Sequence, residues 1–93
     1  MTLPKDVLVV EDDELSRFVI AEMCRELGFQ CLTASGGQQA IDVVTENAST
    51  IGVVLMDIHM PAVSGLTVTK AIRDHPSDPP KNLPVVAITA DIQ

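Results

Sequence analysis

The sequence predicts an α/β fold in which a parallel sheet is packed by helices on both faces. Three observations predict it. Apolar, β-branched runs alternate with helix-periodic segments along the chain. Three of those runs, VLVV, VVLM and VVAI, are apolar at every position, as in strands covered on both sides. The strand–helix–strand–helix spacing is that of βαβ units, whose crossovers make neighbouring strands parallel.

Each element has its own justification. Val7–Val10 reads as the first strand. Glu14–Leu27 reads as a helix because Leu15, Val19, Met23 and Leu27 recur four apart along one face. Gly28 is placed to stop it with a left-handed residue. Phe29–Ala34 is the second strand, and its polar positions suit a sheet margin. Gln38–Asn47 is a helix with Ala40, Ile41 and Val44 facing inward, and Val53–Met56 is the third strand. Leu66–Asp74 is a short helix and Pro84–Ile88 the last strand. The proline-rich stretch His75–Pro84 is a surface loop rather than a linker, because the pattern on its two sides is continuous. Residues 1–93 are therefore read as a single domain.

The second strand is expected at one margin and the other three inside. Yet an interior strand at Val85–Ile88 needs a neighbour on each side, and the sequence ends at Gln93. Asp91 also suits the N-cap of a helix that does not follow. The expectation is a fragment of a longer fold, or a fold whose missing neighbour comes from another chain.

Composition narrows the function. With 93 residues, 46% of them hydrophobic, the chain can bury one modest core. No apolar run has the length of a membrane span, and MTLPKD carries no signal-peptide core, so a cytoplasmic protein without a membrane partner is expected. Cys24 and Cys31 form no C-x-x-C pair and read as small apolar fillers in a reduced compartment. A net charge of −7 with two aromatics and no basic run argues against direct nucleic-acid binding.

The chemistry gathers at strand ends. In open parallel sheets, sites form beyond the carboxyl ends of strands where the strand order reverses. The first strand runs into EDDE, Glu11 to Glu14, and the third runs into Asp57. Asp13 and Glu14 are explained by a helix start, as N-cap and first-turn acid. Glu11 and Asp12 are not, and with Asp57 they converge if the two strands are adjacent. Like charges about 4 Å apart repel by about 4 kcal/mol at an intermediate dielectric, so three carboxylates raise one another's pKa or recruit a cation. Oxygen-only ligands favour Mg²⁺ with several waters retained, and His59 offers at most its backbone carbonyl. An aspartate beside such an ion can attack phosphorus and form an acyl phosphate. Pro61 stiffens the following loop, and Gly65 permits a left-handed turn before the third helix. Thr89, at the end of the fourth strand, could hydrogen-bond a phosphoryl oxygen on Asp57. Taken alone it is only a β-branched strand terminus.

These residues resemble the receiver domain of two-component response regulators. LVVEDD resembles the first-strand acidic pair, here Glu11 and Asp12. LMDIHMPAVSG resembles the phosphoacceptor motif D-x-x-M-P-x-x-x-G, with Asp57, Met60, Pro61 and Gly65 in place. VVAITA resembles the fourth strand, with Thr89 at the hydroxyl switch position and the small Ala90 after it. The resemblance implies a flavodoxin-like doubly wound sheet in the order 2-1-3-4, without the family's fourth helix, fifth strand and fifth helix. It implies that a histidine kinase or histidine phosphotransfer protein donates a phosphoryl group to Asp57. Mg²⁺ would be held by Asp12, Asp57, the His59 carbonyl and, through water, Glu11. The family's fifth strand ends in a lysine that pairs with the phosphoryl group; Lys81, in the loop before the fourth strand, is no substitute. The domain would act as a phosphoacceptor, not an enzyme, although the parent could be a hybrid histidine kinase. Because the first helix packs beside the fifth in the family, apolar surface should be left bare, and two copies are expected to associate through the fourth-strand region or to exchange elements.

Three other readings compete. A phosphatase of the haloacid dehalogenase type also uses a strand-end aspartate with Mg²⁺, but needs a second aspartate where His59 stands. Nucleotide binding at Ser35-Gly36-Gly37 lacks the third glycine, and EDDE occupies the first βα turn. A truncated receiver could serve only as a binding module.

Overall fold

The computed structural model describes residues 6–57, 65–76 and 82–88. Its elements run β1 (Asp6–Val10), α1 (Glu14–Glu26), β2 (Cys31–Ala34), α2 (Gly37–Asn47), β3 (Ile51–Asp57), α3 (Gly65–Arg73) and β4 (Val85–Ile88). The strands form one parallel sheet in the order β2-β1-β3-β4. Alternation along the strands divides the side chains between two layers. Leu8, Val10, Val54 and Met56 point toward α2 and α3, where they meet Ala40, Val44, Val68 and Ile72. Val7 and Val9 point the other way, against Cys24 and Ile20 of α1.

Local chemistry sets the helix ends. Asp13 has extended backbone and caps α1, its Oδ2 accepting from the Ser16 amide at 2.8 Å. That bond holds the Asp13 carboxyl below the usual range. At the other end Gly28 has φ +93° and donates its N–H to the Arg25 carbonyl, so the expected glycine stop is present. The second strand starts later than its sequence suggests, because the Phe29 amide bonds the Cys24 carbonyl at 3.1 Å and belongs to the helix exit. Gly65 is the buried first residue of α3. At the far end of α3, Arg73 Nη1 donates to the Leu83 carbonyl at 2.7 Å, tying the helix to the approach of β4.

Leu15, Val19, Met23 and Leu27 form the apolar stripe of α1, yet all four are exposed, Leu27 by 76%. The helix turns Ala21 and Cys24 inward instead, since small side chains let it lie close on β1 and β2. Among the described residues β4 lacks the second neighbour that its apolar run calls for, as the order 2-1-3-4 implies. It pairs with β3 alone among them, and Val86 is 49% exposed. No described element covers β3 and β4 on the α1 side, so an apolar cleft of about 350 Å³ opens between Ile20, Met23, Cys24, Leu27, Leu55 and Ile88.

Candidate functional site

The register of the sheet brings the acids together. Val10 of β1 lies opposite Met56 of β3. The next residue of each, Glu11 and Asp57, therefore leaves the sheet beside the other at its carboxyl end. A further bond fixes Glu11, whose amide donates to the Ala34 carbonyl of β2 at 3.1 Å. Asp57 is the last residue of β3 and lies opposite Ile88 of β4. One carboxylate oxygen from each of Glu11, Asp12 and Asp57 lies within 4.8 Å of the other two. Glu11 and Asp57 are buried, whereas Asp12 is exposed at the mouth.

Burial and crowding act on Glu11. Its carboxyl is pushed up to about 7, first by burial and then by its hydrogen bond with the Asp57 side chain. The Asp13 amide, 3.2 Å from Oε2, pulls the other way. Glu11 thus keeps its proton to a higher pH than an ordinary carboxyl in the absence of a cation. A small divalent ion would take that proton's place, and the all-oxygen donor set suits Mg²⁺ in chemistry and number, with water completing the coordination.

Sequence reasoning missed Arg17. It sits half-buried on the first turns of α1, and its Nη1 donates to the Glu11 carbonyl at 3.0 Å. This bond clips the strand end to the helix and brings positive charge behind the acids. The available signal was an arginine six residues after Glu11, one helical turn beyond the Asp13 cap. Of the expected site residues, Glu11, Asp12 and Asp57 come together. His59, Met60, Pro61, Thr89 and Ala90, together with Lys81 and Asp91, lie outside the described residues.

Comparison with known proteins agrees with this geometry. A family model described as the response regulator receiver domain matches residues 7–93. The polar-differentiation response regulator DivK of Brucella anthropi is 36% identical over 88 residues, 95% of this chain and 68% of DivK. The solved structure of response regulator TrrA from Thermotoga maritima, in complex with Mg²⁺-BeF, matches with a TM-score of 0.79 and 31% identity, covering 92% of this chain and 70% of that one. The receiver domain of the histidine kinase CKI1 from Arabidopsis thaliana, complexed with Mg²⁺ and BeF₃⁻, matches with a TM-score of 0.84 and 25% identity, covering 98% and 70%.

Proposed function

The chain belongs to the response regulator receiver domain family, which accepts phosphoryl groups in two-component signalling, and from that premise we propose that Asp57 is its phosphoacceptor. The observation that carries the proposal is the meeting of Asp57 with Glu11 and Asp12 at the carboxyl end of the sheet. β3 holds the Asp57 backbone rigidly, so the nucleophilic oxygen is placed without loop entropy. That oxygen attacks the phosphorus of a phosphohistidine carried by a histidine kinase or histidine phosphotransfer protein. The new O–P bond forms as the P–N bond breaks, and the departing imidazole takes up a proton from solvent.

Asp12, Asp57 and the His59 carbonyl would hold Mg²⁺, with Glu11 reaching it through water, and the ion would neutralise the arriving phosphoryl charge. Thr89 is proposed as the hydroxyl that then bonds a phosphoryl oxygen. The added charge of about −1.5 to −2 needs such donors, and meeting that need reshapes the neighbouring surface. The product stays on the protein, so the domain works as a stoichiometric acceptor rather than a turnover catalyst. His59 occupies the position where a dehalogenase-type phosphatase needs its second aspartate, which disfavours that reading.

The test is intact-mass measurement after incubation with acetyl phosphate and Mg²⁺. The chain should gain one phosphoryl group, while Asp57→Asn and an EDTA-treated sample gain none. Equal labelling of Asp57→Asn, or steady release of phosphate from a generic phosphomonoester, would overturn the assignment.

We also propose that two copies associate through β4. Its outer edge pairs with no described strand, and Val86 and Ala87 are exposed beside it. Sedimentation should show a concentration-dependent dimer; a monomer throughout the millimolar range would sink the idea.

A further inference from the structure

We propose that Cys24 and Cys31 form a reversible disulfide that staples the end of α1 to the start of β2. The turn between them is held closed from several directions. The Cys24 carbonyl accepts from the amides of Leu27 and Phe29, at 3.2 and 3.1 Å. Gly28, with its positive φ, completes the reversal. Arg25 Nη2 donates to the Cys31 carbonyl at 3.4 Å, a second strap across the same gap. Both cysteines pack into one apolar cluster with Val7 and Val9. The two side chains are neighbours in that cluster, where the Cys31 thiol donates to the Leu32 carbonyl at 3.5 Å and is pushed up first by burial and next by the Cys24 thiol. A filler role accounts for each cysteine separately, but not for their meeting. They are the only cysteines in the chain, so no other intramolecular pairing competes.

Accessibility assigns the roles. Cys31 is half-buried and meets a reagent, while Cys24 is buried behind it. The Cys31 thiolate attacks one sulfur of oxidised glutathione, forms a mixed disulfide and releases one glutathione thiolate. The Cys24 thiolate then attacks the Cys31 sulfur and expels the second. Two protein thiols are oxidised to the disulfide, oxidised glutathione is reduced to two glutathione thiols, and the two protons lost by the cysteines are taken up by the departing glutathione thiolates, with no net proton released. The raised Cys31 thiol makes the first step slow at neutral pH and faster as pH rises.

The experiment is incubation of the full chain with oxidised glutathione at mildly alkaline pH, followed by an acid quench, alkylation, intact mass and peptide mapping. The expected product is monomeric, lighter by two hydrogens, blocked to alkylation, and contains one cross-linked peptide joining Cys24 and Cys31. Its thermal midpoint should lie about 5–15 °C higher than that of the reduced form. Cys24→Ser should stop at the mixed disulfide, and Cys31→Ser should stay largely unmodified. Cys24→Ala serves as a second variant in case a buried serine loosens the helix. A stable glutathione adduct on the unsubstituted chain, two freely alkylated thiols, or only intermolecular disulfides would overturn the proposal.

Discussion

The two faces of the sheet are built differently. On one side α2 and α3 lie over Leu8, Val10, Val54 and Met56, and the layer is closed. On the other, α1 is the one described helix, covering β1 and β2, while Leu55 and Ile88 line an open cleft. Both layers come from equally apolar sequence. Hydrophobicity therefore tells which surface seeks cover, and only packing tells whether it has found any. The acids sit where the two regimes meet, since Glu11 lines the open cleft while Asp57 ends the strand whose other face is closed.

The largest expected effect tests the closed layer. Leu8→Ala should lower the unfolding free energy by about 2–5 kcal/mol, read by urea denaturation, because the fully buried side chain leaves a cavity. A change under about 1 kcal/mol would mean this layer is as loosely packed as its counterpart. Next comes the boundary. In metal-free protein Glu11 loses its proton at about 7 when folded and near its ordinary value of 4.5 when unfolded. The unfolded chain thus binds fewer protons between those values, so this group's contribution is full below about 4.5 and is lost as pH rises through about 7. The loss should be about 3 kcal/mol. Glu11→Gln should flatten that part of the profile, and a stability curve unchanged by the substitution would contradict it.

Smaller effects probe the open layer. Asp13→Ala removes the cap of α1 and should cost about 1 kcal/mol, with lost helicity seen by circular dichroism. Met23→Ser and Leu27→Ser remove exposed side chains and should change stability by less than about 0.5 kcal/mol while improving solubility. A large loss from either would show that the stripe is covered in solution.

Much of the fold could be read from residues. Strand identities, the sheet order implied by the family resemblance, the Asp13 cap and the Gly28 stop all appear as expected. The convergence of Glu11, Asp12 and Asp57 was legible because two apolar runs each end in acid. The inward face of α1 was not. The large residues dominate the periodicity, yet Ala21 and Cys24 make the contact. Close helix–sheet approach rewards small side chains, which an amphipathic pattern weights lightly. The apolar run of β4 was read as one that calls for a neighbour on each side, one of them missing, and among the described residues it has β3 alone. Arg17 escaped because its role depends on reaching a backbone carbonyl six residues away in sequence.

The Arg73–Leu83 bond has a practical consequence for engineering. It seats the beginning of β4 from the helix directly, by a route that bypasses the intervening prolines. Lengthening the chain between Pro76 and Asn82, for instance to accept an epitope or a fluorophore-labelling peptide, should therefore leave the strand in register. Replacing the arginine would make the same graft disruptive.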